Sequence, residues 1–316
     1  MIFPKNKVFI IAEIGNNHEG NFNLAKKMIN SAAKTGVDAV KFQTFIPEKY
    51  VNTKNKKRLK QLKKFQLSIE QFKRLKDYAK KKKLLFFSTP FDVESAKKLN
   101  KFQSIFKISS GDNNFLELIE TIAGFGKPII ISTGFADYKL LKKIYKKISD
   151  IWKKKKIKSQ IIFMHCVSDY PVEDRFANLN AISTLKQKFN KCVIGYSDHT
   201  LGTHCAEYSV LLGAKVIEKH FTIDNNLSKF RDHKISANPK NFKKLINKIR
   251  NISKILGNGK IQIEKCELKN IKKTRRSFYV NSNLKKNQIV KKDLINIVRP
   301  GSDNSILDHK KIIGKK

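Results

Sequence analysis

The chain has 316 residues and 40% hydrophobic content, so it is long enough to bury a sizeable core. Lys and Arg total 67 against 26 Asp and Glu, a formal net charge of +41, and abundant Ile, Leu, Val and Phe exclude a disordered chain. No apolar run approaches the ~20 residues that span a bilayer. No signal peptide is recognisable and the four cysteines show no CxxC spacing. We therefore expect a cytoplasmic protein with reduced thiols and no membrane partner.

The excess of positive charge is carried by Lys. Only eight of the 67 basic residues are Arg, which leaves 59 Lys spread over nearly every predicted helix. Proteins that read nucleic acids favour Arg, whose planar guanidinium matches phosphates and guanine. We therefore expect no specific nucleic-acid partner. A non-specific nucleic-acid binder remains an alternative, and its affinity would fall steeply with salt.

Short runs of β-branched and aromatic residues predict eight β-strands. In chain order they are residues 8–15, 39–45, 84–91, 105–111, 128–134, 160–168, 192–199 and 215–222. Amphipathic segments at helical spacing lie between them, for example 23–36, 68–83 and 138–156. The runs are continuous rather than alternating, which is typical of parallel strands buried on both faces. Eight such units in about 250 residues predict an α/β fold, the (β/α)8 TIM barrel.

Two further segments complete the predicted layout. Residues 47–65 form a Lys-rich connection after the second strand, which either covers a substrate or is a solvated charge run. Beyond a helix stop at 256–260, residues 277–301 predict short strands and turns. We expect the barrel to occupy residues 1–265, a linker 266–274, and a small β-rich unit 275–316.

Every predicted strand ends in polar side chains, although the residues before them are apolar. In chain order these residues are Glu13, Lys41, Gln43, Thr89, Lys107, Ser110, Ser132, Thr133, His165, Ser197, Asp198, His199, Glu218 and His220. The catalytic groups of TIM barrels lie at the C-terminal ends of the strands. Eight polar strand ends in succession therefore predict an active site rather than choices made for packing or solubility.

Two histidines end neighbouring strands. His199 and His220 should converge over the mouth of the barrel, where two neutral imidazoles suit a divalent transition metal. Two protein ligands leave positions for substrate and water, which favours a catalytic metal over a structural one. The alternative interpretation is a pair of isolated, hydrogen-bonded histidines.

Charged residues also interrupt apolar strands. Lys41 and Lys107 lie between apolar neighbours, where a buried ammonium needs a partner. With the strand-end serines they suit a phosphate plus a carboxylate. Glu13 either pairs with a lysine or acts as a general base or water positioner. The residues alone indicate a barrel enzyme with a divalent metal and a small anionic substrate, without giving the reaction.

Nine motifs supply that reaction by resemblance. They are IIAEIGNNHEG (10–20), VKFQTF (40–45), FSTPFD (87–92), KISSGD (107–112), ISTG (131–134), HCVSDYP (165–171), GYSDHTLG (195–202), IEKHFT (217–222) and FRDHKIS (230–236). In this order they resemble the sialic acid synthase family. RRSFYV (275–280) and VRPG (298–301) resemble the start of that family's C-terminal antifreeze-like (SAF) domain, so the unit 275–316 is expected to be a partial SAF domain.

The resemblance implies a transferase that condenses phosphoenolpyruvate with an open-chain N-acetylated amino sugar by C–O cleavage. It implies that His199 and His220 hold a divalent metal, Mn²⁺ first, with Mg²⁺ or Co²⁺ as alternatives. Implied catalytic residues are Glu13, Lys41 and Lys107. Implied phosphoenolpyruvate-binding residues are Lys41, Thr89, Lys107, Ser110, Ser132, Ser168 and Ser197, where Ser168 replaces an Asn of some members. Implied sugar-binding residues are Gln43, Tyr170, Asp232 and Arg299.

The resemblance also implies a partner. Arg299 matches an arginine that reaches from the SAF domain into the barrel of the other subunit, so a domain-swapped homodimer is expected. The alternative is a surface arginine in a turn before Pro300.

Several acceptors fit the family. We expect N-acetylmannosamine, which would give the sialic acid N-acetylneuraminate. The alternative is 2,4-diacetamido-2,4,6-trideoxymannose, which would give legionaminic acid. The AEIGNNHEG form of the first motif disfavours pseudaminic acid, and the motifs do not favour a phosphorylated sugar. A non-catalytic carbohydrate-binding protein is the alternative outside enzymes, and the intact charged residues argue against it.

Overall fold

The computed structural model describes residues 7–301 and 307–316. Residues 1–6 of the predicted barrel and 302–306 of the predicted C-terminal unit lie outside this description. The chain divides into two compact units, Met1–Gly257 and Asn258–Lys316. Among the described residues, no helix combines the length and the apolar character needed to cross a membrane.

Eight parallel strands form the sheet of the first unit. They are β1 (Phe9–Gly15), β2 (Ala39–Thr44), β3 (Leu85–Pro90), β4 (Phe106–Ile108), β5 (Ile129–Ser132), β6 (Ile161–His165), β7 (Val193–Asp198) and β8 (Val216–His220). Their order is β3-β2-β1-β8-β7-β6-β5-β4, with β1 hydrogen-bonded to both β2 and β8. The first and last strands of the unit are therefore neighbours, which confirms the predicted TIM barrel.

Helices follow the strands in the alternation that the sequence predicts. They are α1 (Phe22–Thr35), α2 (Pro47–Tyr50), α3 (Lys56–Phe65), α4 (Ile69–Lys81), α5 (Val93–Asn100), α6 (Leu116–Gly124), α7 (Tyr138–Lys154), α8 (Asn180–Lys188), α9 (His204–Leu211), α10 (Arg231–Ile235) and α11 (Pro239–Ile255). Short-range signals fix their starts, as in α4, where Ser68 and Gln71 form a capping box. In α7, Leu141, Ile144, Ile148 and Trp152 lie buried along one stripe.

The Lys-rich segment 47–65 is not an irregular connection, because it contains α2 and α3. Pro47 occupies the first turn of α2, and the Asn55 side chain caps α3. Leu62 and Phe65 of α3 are buried in a small cluster with Phe45 and other aromatic residues. With the half-buried Leu59, these residues form an apolar stripe at i, i+3 and i+6 on a helix whose other positions are mostly lysine.

The barrel has an apolar floor inside and a larger apolar layer between strands and helices. Because side chains of a strand alternate between two faces, Ile10 and Ile14 of β1 pack outward with the helices, and Phe9 and Ile11 fill the interior. The interior column continues with Glu13. In each strand, the inward-facing residue that follows this apolar layer therefore lies at the C-terminal mouth of the barrel.

A side chain bridges the seam between β3 and β4. These two strands are the ends of the hydrogen-bonded order. The buried Gln103 side chain accepts from the Ser88 amide at 3.0 Å and donates to the Ser88 carbonyl at 3.2 Å. Gln103 therefore satisfies backbone groups of β3 that would otherwise be unpaired inside the wall.

The second unit contains α12 (Leu268–Thr274) and an antiparallel pair, β9 (Ser277–Val280) and β10 (Ile295–Val298). The predicted strands are present, and the stretch predicted as a linker, 266–274, is largely helical. This unit has little buried apolar surface, with Ile295 its one buried hydrophobic residue in the described part of the chain.

Candidate active site

Four charged side chains meet inside the barrel above its apolar floor. Lys41 Nζ lies 2.9 Å from Glu13 Oε2 and 3.7 Å from Glu218 Oε2. Lys107 Nζ lies 2.6 Å from Glu218 Oε1. All four are at least 95% buried. The interior columns of β1, β2, β4 and β8 thus deliver two lysines and two glutamates to one network, which we call the buried ion network.

Burial and pairing shift the pKa values of this network in different directions. Burial raises the pKa of Glu13 to about 7, because Lys41 offsets only part of the desolvation of the carboxylate. Burial also opposes ionisation of Glu218, but Lys107 and Lys41 outweigh it and lower the pKa to about 2. Burial lowers the pKa of Lys107 despite its attraction to Glu218. Glu13 is therefore the member able to exchange a proton near neutral pH.

Lys41 behaves differently from Lys107. Burial disfavours its charged form, but the attraction of Glu13 and Glu218 prevails and raises its pKa. Lys41 also donates to Thr89 Oγ1 at 3.2 Å. The two carboxylates thus favour the charged form of Lys41.

Small hydroxyl side chains surround the two lysines. Ser197 donates to Glu218 at 3.0 Å, and Ser110 Oγ lies 3.1 Å from the Cys166 thiol. Ser132 ends β5 beside them, and the Ser168 hydroxyl is buried without a hydrogen-bond partner in the described structure. Together with Lys41, Lys107, Thr89, Ser110, Ser132 and Ser197, both histidines line a cavity of about 60 Å³.

A glycine keeps this hydroxyl cluster open. A Cβ added to Gly134 would lie 2.6 Å from Ser110 Oγ and would collide with Ser168 Oγ. The buried Asn113 side chain donates to the Gly134 carbonyl at 2.7 Å and holds the loop in place. Glycine at 134 thus leaves a concave surface where hydroxyls converge, and such a surface suits an oxyanion.

A wider cavity of about 470 Å³ opens beside the first. The predicted sugar-side residues Gln43, Tyr170 and Asp232 come together on its wall, next to His220. Gln43 donates to Glu13 Oε1 at 3.1 Å, so this cavity is directly connected to the buried ion network. Arg299 belongs to the second unit, so its predicted role is not tested by this geometry.

The two predicted metal ligands are neighbours at the mouth of the barrel. The ring centres of His199 and His220 lie 5.7 Å apart. His199 Nδ1 donates to the Val167 carbonyl at 2.7 Å, which leaves Nε2 free for a ligand bond. His220 Nδ1 is buried without a hydrogen-bond partner in the described structure. These residues fit a metal, since two imidazoles with metal–nitrogen bonds of about 2 Å span such a separation.

Both imidazoles are in the form that binds metals. Burial lowers the pKa of His199 to about 4, and burial together with the nearby His199 lowers the pKa of His220 further below its ordinary value. They are therefore neutral at physiological pH, as metal coordination requires. The Tyr170 ring lies 4.3 Å from that of His199 and fixes its orientation.

A separate group of potential metal ligands lies elsewhere on the barrel unit. Asp174, His204 and Cys205 place one donor atom each within 4.8 Å of one another. The protein thus has a possible metal site besides the predicted histidine pair, and its donor set differs by including a thiol.

Sequence reasoning missed several residues of this region. Glu218 was recognised as a polar strand end but was given no role, although it pairs with both lysines. Glu218 could have been found by the criterion that identified Lys41, which is a charged residue within an apolar strand. In the case of Glu218 the apolar neighbour is Ile217. Asn113, which holds the Gly134 loop, and Arg58, which lines the wider cavity, were missed because nothing in their local sequence indicates these positions.

Residues 28–261 match the NeuB family. The chain belongs to the NeuB family. N,N'-diacetyllegionaminic acid synthase of Campylobacter jejuni is 40% identical over 98% of this chain and 95% of that protein. Pseudaminic acid synthase of the same species is 34% identical over 98% and 92%. The crystal structure of an N-acetylneuraminic acid synthetase from Leptospira borgpetersenii is 41% identical, with a TM-score of 0.78 over 84% of this chain and 90% of that one.

These comparisons confirm the predicted sialic acid synthase family. The three relatives given above are named as synthases of acidic sugars, which supports a sugar-acid synthase.

Proposed function

We propose that this NeuB-family chain condenses phosphoenolpyruvate with an open-chain N-acetylated mannose-type sugar, N-acetylmannosamine in the first place, to give a sialic acid and phosphate. The observation that supports this most is the burial of Lys41 and Lys107 beneath the Gly134 hydroxyl cluster. Two cations and several hydroxyls around one small cavity suit a compact, multiply charged donor.

The donor would bind in two halves. Lys41, Thr89 and Ser197 form one side of the inner cavity and would hold the carboxylate. Lys107, Ser110 and Ser132 line the same cavity and would hold the phosphate together with Ser168, whose hydroxyl lies with that of Ser110 at Gly134. In a site closed to bulk water these cations act at low effective dielectric, so they stabilise the donor strongly.

The acceptor would lie in the wider cavity with its aldehyde toward the histidines. Carbon 3 of the donor forms a bond to the aldehyde carbon, and a water molecule adds to carbon 2. The aldehyde double bond opens onto its oxygen, which takes up a proton and becomes a hydroxyl. The bond between carbon 2 and the phosphate oxygen then breaks, the hydroxyl on carbon 2 becomes the ketone as its proton passes to the departing phosphate, and one water is consumed. Glu13, with its pKa near neutrality, would orient that water and take its proton.

A divalent metal, Mn²⁺ first and Mg²⁺ or Co²⁺ as alternatives, would be held by His199 and His220. When bound it would polarise the aldehyde oxygen. Gln43, Tyr170 and Asp232 would position the sugar chain along the cavity wall. Arg299 of the second unit would reach the acceptor of the other subunit in a domain-swapped homodimer.

One observation favours a second acceptor. Five aromatic residues line the wider cavity besides Tyr170, namely Tyr50, Phe91, Phe115, Phe135 and Phe230. A 2,4-diacetamido-2,4,6-trideoxy sugar carries three methyl groups, whereas N-acetylmannosamine carries one, and aromatic walls bind methyl groups better than hydroxyls. The relative from Campylobacter jejuni named as a diacetyllegionaminic acid synthase is consistent with this acceptor.

The test is sugar-dependent phosphate release from phosphoenolpyruvate labelled with ¹⁸O in its bridging oxygen. We expect release that requires one of the two sugars, that EDTA abolishes and Mn²⁺ restores, and that carries the label into phosphate. The Lys107→Met variant is the matched control and should lose activity while keeping its fold. Unlabelled phosphate, or a folded and Mn²⁺-loaded protein that is inactive with both sugars, would contradict the proposal.

A further inference from the structure

The strongest unassigned feature of the barrel unit is the group of Asp174, His204 and Cys205. Asp174 lies in a short 3-10 turn after β6, and His204 and Cys205 open α9 after β7. Their donor atoms lie within 4.8 Å of one another. None of the three lines the inner or the wider cavity in the described structure, so the group is distinct from the proposed active site.

The donor types indicate which metal would bind. A thiolate, an imidazole and a carboxylate form the set that Zn²⁺ accepts in tetrahedral sites, with water in the fourth position. Mn²⁺ and Mg²⁺ prefer oxygen ligands, so a thiolate disfavours them. The group therefore differs in chemistry from the thiol-free pair His199 and His220.

The geometry needs only a small adjustment. With metal–sulfur and metal–nitrogen bonds of about 2.3 and 2.0 Å, tetrahedral donors are about 3.5 Å apart. The three donor atoms now lie within 4.8 Å of one another, so rotation of side chains would have to bring them closer by about 1 Å. Asp174 and His204 have the freedom for it, since their side chains are 66% and 39% exposed, while the buried Cys205 is fixed in α9.

The two loops that carry the group also carry active-site residues. The β6 loop contains Tyr170, and its Val172 amide donates to the His199 carbonyl of the β7 loop at 3.0 Å. Val172 and Thr200 form an isolated parallel bridge between the same loops. A metal on Asp174 and His204 would add a coordinate link to this weak junction, within a few residues of His199.

We propose that Asp174, His204 and Cys205 form a Zn²⁺-binding site that clamps the β6 and β7 loops together. The rival interpretation is an exposed ion pair, because His204 Nε2 lies 2.8 Å from Asp174 Oδ2. Such a pair contributes little to stability and needs no thiol. The participation of Cys205 is what separates the two interpretations.

Co²⁺ is the probe, because a cobalt–thiolate bond gives a charge-transfer absorption in the near ultraviolet that imidazole and carboxylate ligands do not. The reduced, metal-stripped full-length protein is titrated with Co²⁺ and then with Zn²⁺. We expect one thiolate-bound Co²⁺ per chain, displaced by Zn²⁺. The Cys266→Ser variant is the matched control, since Cys266 is an exposed thiol of the other unit, and it should keep the absorption.

Two variants test the ligands separately. Cys205→Ser should abolish the absorption, and His204→Gln, at a partly exposed position that tolerates change, should weaken Co²⁺ binding at least tenfold. Zn²⁺ should raise the midpoint of thermal unfolding more in the parent protein and in Cys266→Ser than in His204→Gln, where only the pair His199 and His220 can still bind it. No thiolate absorption in the parent, or one that survives in both variants, would overturn the proposal. Because no readout depends on turnover, failure here is separate from failure of the proposed reaction.

Discussion

Replacing Glu218 by Gln is the sharpest test of the buried ion network. The change preserves shape but removes the carboxylate that lies 2.6 Å from Lys107 and 3.7 Å from Lys41. Removing one partner of a buried ion pair costs about 3–5 kcal/mol, because an uncompensated charge stays behind. Lys41 still has Glu13 as a carboxylate partner, so Lys107 is the ammonium group that is left uncompensated.

The loss should depend on pH with a definite sign. Burial already lowers the pKa of Lys107, and Glu218 is its main attraction. Without that carboxylate the folded protein favours neutral Lys107, while the unfolded chain keeps it protonated below its ordinary pKa. The unfolded state then binds more protons, so the stability of Glu218→Gln should rise as pH rises toward 10. Its KM for phosphoenolpyruvate should rise over the same interval, because neutral Lys107 binds the donor poorly.

The assays are urea unfolding and steady-state kinetics at pH 6, 7.5 and 9. Glu120→Gln is the matched control, since Glu120 pairs with Lys147 on the surface and such pairs contribute about 0–1 kcal/mol. A Glu218→Gln protein less than about 1 kcal/mol below the parent, with a KM that does not vary with pH relative to the parent, would refute the network as described.

Four further outcomes follow from the structure. Glu13→Gln should lower kcat at least 100-fold and remove an inflection of the pH–rate profile near pH 7. Gly134→Ala should raise the KM for phosphoenolpyruvate by about 10-fold or more without unfolding the protein, measured by kinetics and circular dichroism, because its methyl group fills the hydroxyl cluster. Mixing inactive Lys107→Met with inactive Arg299→Ala should restore about a quarter of the parent activity if the arginine acts across a swapped dimer, and none if it acts within its own chain. Gln103→Leu should lower the free energy of unfolding by about 2 kcal/mol or more, since two buried backbone groups of β3 lose their partner.

The barrel was predictable because its signals are local. Each continuous apolar run gave a strand, and each run ended where polar residues began. The ends were less well defined, as in β4, where 105–111 was expected and Phe106–Ile108 is observed. The helix α3 was missed because its apolar stripe consists of only Leu59, Leu62 and Phe65 among lysines. Propensity and charge pattern do not show which small cluster a segment will cover.

The histidine pair was predictable for the same reason, whereas the role of Glu218 was not. Glu218 and Lys219 are adjacent charges in β8, and only the alternation of the strand separates them. Val216 and Glu218 face the interior, where Glu218 joins the network. Lys219 faces outward, where it pairs with Asp198 at 2.8 Å and donates to the Thr200 carbonyl. Such ion pairs join different strands, and the composition of a strand does not predict them.

The network also explains how the cavity is stable before a donor arrives. Two buried ammonium groups alone would destabilise the fold by several kcal/mol. Glu13 and Glu218 neutralise them, so the empty site has little net charge. An anionic donor then competes with these glutamates for Lys41 and Lys107, and its negative charge makes the Glu13 carboxylate, which has its pKa near 7, a stronger proton acceptor. Glu13 is thus the one carboxylate of the network that can be protonated near neutral pH with little cost in free energy. This is consistent with a role in moving a proton during turnover.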